Sequence, residues 1–309
     1  MITGKQPLLI VIAGPTAVGK TAAAIEVANH FNTVILSADS RQCYKELNIG
    51  VARPSVTELN SVPHYFIASH SVHDTMNAAL YETYALDLLQ QLFLQYPVIV
   101  AVGGTGLYLK ALLEGMDPIP AIPEAIRETI IGSYAAKGIN WLKGELEKKD
   151  PLFFAKGEMQ NPQRMMRALE IIEGTGRSIL EYQKKNKTTR FFDTLCIGLE
   201  LPRAVLYERI NERVLAMMKE GLEEEVQSLL PLRTINALQT VGYQELFQYF
   251  DGTLSRTAAV ALIQQNTRHY AKRQLTWFKK QEDFYWPDIT AQHQILPFIR
   301  SILHQKEKN

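Results

Sequence analysis

Three groups of residues have types and spacings suited to chemistry. The first is Gly14-Pro-Thr-Ala-Val-Gly-Lys-Thr21, the pattern G-x-x-x-x-G-K-T. Glycines let a backbone wrap around phosphate oxygens, and the helix that follows adds partial positive charge. Lys20 can neutralise developing charge and the Thr21 hydroxyl can hold Mg²⁺. A bare phosphate loop predicts a bound diphosphate without fixing the reaction, and the base-reading N-K-x-D of GTPases is absent. The alternative is a chance glycine turn, which the flanking strand and helix patterns disfavour.

The second group lies at the ends of two other predicted strands. Asp39 suits a general base, a metal ligand or a helix cap, and position alone does not choose. Gly103-Gly-Thr-Gly106 could bring its backbone close to a ligand and offer the Thr105 hydroxyl, or be a plain left-handed turn before a helix. The third group is Asn266 to Lys280, which carries Arg268, Lys272, Arg273, Lys279 and Lys280, interleaves Tyr270, Trp277 and Phe278, and has no acid. Basic and aromatic residues together suit a phosphate backbone with stacked bases. The plainer reading is a solvated helix face over a core stripe.

These residues need a scaffold. Leu8–Ala13, Thr33–Ser37 and Pro97–Val102 are short apolar runs that predict buried parallel strands. Helical patterns cover Ala22–Ala28, Tyr81–Leu94 and Leu107–Leu113. Strands alternating with helices predict an α/β fold, a P-loop NTPase-like parallel sheet flanked by helices. The prolines of Asp117–Pro123 break that pattern. Only helical patterns follow as far as the basic run Lys184-Lys-Asn-Lys187, and Thr194–Leu201 returns to strand character. The predicted organisation is a first part of the core at 1–118, a helical insertion domain at 119–190, and the rest of the core at 191–309. That last part is mostly helical to about Glu282, with a short tail from Tyr285.

Composition narrows the class. The 309 residues are 46% hydrophobic and 21% charged, with a net charge of +1, so a nucleic-acid partner must be met by a local patch. Cys43 and Cys196 are far apart in sequence, which argues against a zinc site or a disulfide scaffold; both read as buried thiols. No apolar stretch approaches the ~18 residues of a membrane span. Met1–Pro7 is too polar for a signal peptide. A cytoplasmic protein, acting as a monomer without an obligate protein partner, is expected.

Taken in order, further runs join these: Ser37-Ala-Asp-Ser-Arg-Gln-Cys-Tyr44, Asn48-Ile-Gly50, Val102–Tyr108, Asn161-Pro-Gln-Arg-Met-Met-Arg-Ala-Leu-Glu170, Val241-Gly-Tyr-Gln-Glu245 and Ala271-Lys-Arg-Gln-Leu-Thr-Trp-Phe278. With these motifs the chain resembles the tRNA dimethylallyltransferases (isopentenyltransferases). The resemblance implies Mg²⁺-assisted transfer of a dimethylallyl group from dimethylallyl diphosphate. The acceptor would be the N6 amine of adenosine 37 in tRNAs reading codons that begin with U, held by the anticodon stem-loop. It also implies that Gly14, Pro15, Thr16, Ala17, Val18, Gly19, Lys20 and Thr21 hold the diphosphate, with Arg213 as a further clamp and Thr21 toward Mg²⁺. Asp39 would be the general base, Thr105 a hydroxyl near the reaction centre and Lys20 a catalytic charge. The stretches implied to meet tRNA are Asp39, Ser40, Arg41 and Gln42; Thr105; Arg127, placed by ungapped counting; Gln163, Arg164, Met165, Met166 and Arg167; Gln239, Thr240, Val241, Gly242, Tyr243 and Gln244; and Lys272, Arg273, Gln274, Leu275, Thr276, Trp277, Phe278 and Lys279.

Some positions depart from the family's pattern. Val51-Ala-Arg-Pro54 stands where Thr-Ala-Lys-Pro is common, Ala68 replaces a frequent Asp, and Cys43 replaces an aliphatic residue. None removes a proposed catalytic group. The competing readings are an adenylate isopentenyltransferase acting on a free nucleotide, a P-loop metabolite kinase that uses ATP, and a non-catalytic RNA-binding protein. The helical insertion and the Lys-Arg-Gln-Leu-Thr-Trp-Phe run favour tRNA.

Overall fold

The computed structural model describes residues 6–183, 187–288 and 295–308. The first strand, β1 (Leu8–Ala13), is an unbroken apolar run, and it occupies the middle of a parallel sheet. Its alternate residues feed two cores: Leu9, Val11 and Ala13 pack on one side, Ile10 and Ile12 on the other. Burial on both faces is what an unalternating strand requires.

After the glycine loop come α1 (Lys20–His30), β2 (Ile35–Ser37), α2 (Val56–Ser61), β3 (His64–Tyr65) and α3 (Ala78–Leu92). Ser55 and Glu58 close α2 with a reciprocal capping box, and the Asn77 side chain caps α3. Next are β4 (Val98–Gly103) and α4 (Gly106–Glu114). The chain then leaves the sheet for α5 (Glu124–Lys149), α6 (Pro151–Lys156), α7 (Pro162–Thr175) and α8 (Ile179–Tyr182). It returns through β5 (Asp193–Gly198), α9 (Arg203–Glu220), α10 (Leu222–Ser228), α11 (Tyr243–Phe250), α12 (Arg256–Phe278), β6 (Phe284–Tyr285) and α13 (Ile295–Lys308).

Two compact units result. One joins residues 1–114 to 189–309; the other is residues 115–188. In the first, the strand order is β3-β2-β4-β1-β5-β6 and every pairing is parallel. The register aligns the strand ends: Ala13 pairs with Gly103 and with Gly198, and Ser37 with Val102. The loops after β1, β2 and β4 therefore open at one edge, where ligands bind in open α/β sheets.

Among the described residues, the regular elements of the second unit are all helices, α5 to α8. Gly138 breaks α5 with φ 72°. Its core gathers Ile130, Leu142, Leu146, Phe153, Met165, Met166 and Leu169. Burying each such side chain contributes about 1.5–3 kcal/mol.

The expected tail after Tyr285 is corrected. Phe284 and Tyr285 form β6, an edge strand paired with Cys196 and Ile197. In α13, Ile295, Ile299 and Ile302 recur at helical spacing and pack with the core that also buries Val27 and Ala28 of α1. The strand β3 was also not expected. Both edge strands are two residues long, too short to carry a period of their own. Cys43 and Cys196 are buried and form no disulfide among the described residues. The basic run at 184–187 lies outside the described residues except for Lys187.

Candidate active site

The glycine loop joins the buried end of β1 to the first turn of α1. Ala17 holds φ 64° within it, a left-handed conformation that costs an alanine roughly 1 kcal/mol. The Lys20 ammonium donates to the Pro15 carbonyl at 2.7 Å, so the lysine folds back along its own loop. Burial is the main cause that lowers its pKa to about 8; the negative charge of Asp39 opposes the shift, and Arg213 adds to it. From α9, the Arg213 guanidinium donates to the Thr16 hydroxyl at 3.5 Å. Lys20 and Arg213 thus meet at the glycine loop, a cationic cradle suited to a diphosphate.

Asp39 follows β2 by two residues. Its Oδ1 accepts the amides of Arg41 at 2.9 Å and Gln42 at 3.2 Å. No helix follows Asp39, so it is not the helix cap it could have been; it anchors a turn, through one oxygen. Oδ2 has no hydrogen bond within the protein among the described residues, so the same carboxylate is oriented and keeps an acceptor. Across the edge, Thr105 Oγ1 accepts the Ser40 amide at 3.0 Å and donates to the Ser40 hydroxyl at 3.3 Å. Tyr270 of α12 stands near this edge, within reach of the Asp39 charge. Burial and then the charge of Asp39 push the Tyr270 phenol well above its usual range, so it stays protonated.

The second glycine turn is not left-handed: Gly103, Gly104 and Gly106 are absent from the residues with positive φ. They are glycines because other protein atoms come close. An added Cβ would stand 2.2 Å from the Ala38 carbonyl oxygen at Gly103, 2.3 Å from the Gln274 amide nitrogen at Gly104, and 2.4 Å from the Trp277 ring at Gly106. The close approach expected toward a ligand is made instead to Ala38, just past β2, and to α12.

Sequence reasoning missed a second tier of support. The Glu225 carboxylate accepts the amides of Asn48, Ile49 and Gly50 at 3.2, 2.7 and 3.0 Å, and the Tyr243 hydroxyl at 2.6 Å. Arg53 donates to the carbonyls of Tyr44, Lys45 and Leu47. Gln42 reaches the carbonyls of Val51 and Ala52 at 3.1 and 2.8 Å. Together these fold the segment after Asp39 back on itself. The positive charge kept at Arg53 has a structural use. No pattern in Glu223-Glu224-Glu225 distinguishes its third acid, because its partners are 175 to 177 residues away.

Several residues expected to face RNA are turned inward. Met165 and Met166 belong to the core of the helical unit. Tyr243 and Phe278 are fully buried, and Gln274 is 7% exposed. Their side chains serve packing and internal hydrogen bonds. Arg167 and Arg127 both approach Glu170, at 2.9 and 3.9 Å. Lys279 pairs with Glu200 at 2.7 Å and stands 4.0 Å above the Trp286 ring. Arg268 donates to Asn211 at 2.6 Å. What remains outward on α12 and just past it is coherent: His269, Lys272, Arg273, Thr276, Trp277 and Lys280 line a cleft of about 450 Å³. Gln163 and Arg164 are exposed on α7.

Among the described residues, no three His, Cys, Asp or Glu side chains come together in a metal cage. The donor near the loop is the single hydroxyl of Thr21. That fits Mg²⁺ held mainly by ligand phosphate and water, as hard octahedral ions usually are. No helix among the described residues is long and apolar enough to cross a membrane.

A parallel sheet that ends in a phosphate-type loop, an anchored carboxylate and a threonine turn defines an α/β enzyme of the P-loop-like class. The model of the IPP transferase family matches residues 42–281. A tRNA dimethylallyltransferase of Cytophaga hutchinsonii is 43% identical over 297 residues, 96% of this chain and 98% of that protein. Bacteroides thetaiotaomicron has a tRNA dimethylallyltransferase 1 that is 42% identical over 96% of both chains. Among solved structures, the tRNA isopentenylpyrophosphate transferase of Bacillus halodurans superposes with a TM-score of 0.71 at 33% identity, covering 98% of this chain and 99% of that one. A eukaryotic dimethylallyltransferase acting on tRNA shares the fold, with a TM-score of 0.80 at 24% identity over 97% of this chain and 80% of that one. The chain belongs to the IPP transferase family.

Proposed function

We propose that this enzyme transfers the dimethylallyl group of dimethylallyl diphosphate to the N6 amine of adenosine 37 in the anticodon stem-loop of tRNA. The observation that carries the reading is the meeting of three loops at one sheet edge: the cradle of Lys20 and Arg213, the anchored Asp39, and Thr105. The full-length relationship to tRNA dimethylallyltransferases supplies the acceptor class. The free-nucleotide and kinase alternatives have no such support.

The adenine N6 is a weak nucleophile, because its lone pair is conjugated with the ring. As the N–C bond forms, the allylic C–O bond breaks and its electron pair leaves with the diphosphate. Lys20, Arg213 and the loop amides stabilise that charge. Mg²⁺ bound by Thr21 and the diphosphate would act as a Lewis acid on the leaving group. Oδ2 of Asp39 takes the proton that N6 loses, and general-base help of this kind is worth about 10²–10⁴-fold. Thr105, held by its two bonds to Ser40, orients the acceptor beside Asp39. The base must leave its stack to reach this edge. The cationic cleft of α12 holds the surrounding strand through phosphate contacts. Such an enzyme works as a cytoplasmic monomer.

The direct test is nucleoside analysis of tRNA from a strain without this gene and without a second copy. Isopentenyl-adenosine should vanish and return when the gene is restored; unchanged levels would refute the activity.

A further inference from the structure

Gln274 bridges the two glycine-rich loops. Its Oε1 accepts the Thr16 amide of the phosphate loop at 2.9 Å, and its Nε2 donates to the Gly104 carbonyl at 2.8 Å. The side chain is 7% exposed, and both ends of its amide are satisfied by backbone groups 258 and 170 residues away. It has neighbours of the same kind. Tyr270 lies within reach of the Asp39 charge, and the Trp277 ring lies against Gly106. Positions 270, 274 and 277 recur at i, i+4 and i+7, one face of α12. The adjoining face carries the cationic cleft.

We propose that Gln274 is a positioning residue for prenyl transfer. It holds the donor loop and the Thr105 turn in register, so that the leaving diphosphate and the acceptor amine meet at the right separation. The proposal deepens the function given above and rests on it. A buried amide suits the task because it accepts from one loop and donates to the other, which no apolar residue can do. An error of about 1 Å between reacting groups costs on the order of 10²-fold in rate.

Gln274→Met keeps the length and removes both bonds. It should lower kcat/KM for dimethylallyl diphosphate by about 10²-fold and weaken inorganic diphosphate binding measured by calorimetry, with tRNA affinity within about twofold of the parent. Gln274→Glu provides a readout that packing alone would not move. Its protonated carboxyl can accept from Thr16 and donate to Gly104 as the amide does, whereas the ionised form cannot donate. Its activity relative to the parent should therefore recover as pH falls from about 8 to 6, and that of Gln274→Met should not. Gly104→Ala presses a Cβ against the same amide nitrogen and gives an independent variant with the Gln274→Met signature. Weakened tRNA binding with an unchanged donor KM would make Gln274 an RNA contact and overturn the proposal, as would unchanged kinetics in both variants. If the parent binds diphosphate but modifies no tRNA, the functional reading fails. The diphosphate affinity of Gln274→Met then still decides whether Gln274 supports the loop.

Discussion

The two glycine-rich turns of this enzyme look alike in sequence and work differently. In the first, Gly14 and Gly19 hold φ 153° and 101°, so the backbone itself needs glycine, and the loop curls around the Lys20 ammonium. In the second, no glycine has a positive φ; each admits a neighbour, namely Ala38, Gln274 or Trp277. The first turn shapes a ligand site, and the second is a socket for the helix that braces that site. Glycine content alone therefore does not identify a phosphate loop. The distinction lies in the backbone: the first turn needs glycine for its positive φ, and Gly14 must also admit the Leu199 carbonyl, whereas the second turn needs only the space.

The comparison can be broken first at the residue that both turns serve. Asp39→Asn keeps the Oδ1 anchor to Arg41 and Gln42 but cannot accept a proton. Prenyl transfer to tRNA should fall about 10²–10⁴-fold with diphosphate affinity little changed. A loss confined to donor binding would reassign Asp39 to the first turn's work. Next, Gly106→Ala forces a Cβ into the Trp277 ring. Overpacking of this kind costs about 1–3 kcal/mol, and denaturant midpoints should report it while diphosphate titration does not. A fall in diphosphate binding with stability unchanged would make Gly106 part of a ligand loop instead.

A pH titration sharpens the first turn. Lys20 loses its proton near pH 8 in the free protein, and a bound anion favours the protonated form. Taken relative to Lys20→Met, so that the titration of diphosphate itself cancels, affinity for inorganic diphosphate should fall by up to about tenfold per unit above pH 8. The smallest effect is expected at Lys279, whose pair with Glu200 is half exposed on both sides. Lys279→Ala should shift thermal stability by less than about 1 kcal/mol, and a larger loss would move Lys279 from the rim into the brace.

The helical unit differs from the sheet unit in what could be read beforehand. Expected at 119–190, it spans 115–188, because prolines and the loss of strand patterning mark its start plainly. Inside it, Met165 and Met166 were expected at an RNA surface. They sit on the buried face of α7, where the side chains must go once the Asn161 cap sets the helix phase.

The sequence by itself determined the central strands, the phosphate loop, Asp39 and Thr105. Each is announced by a local pattern: an apolar run, a fixed glycine spacing, or a polar residue just past a strand. Only the tertiary structure decided the edge strand β6, the docking of α13, the Glu225 latch and the inward face of α12. These depend on partners far away in the chain. An amide such as Gln274 reads as one more polar residue in a basic helix until folding sets two glycine turns against it.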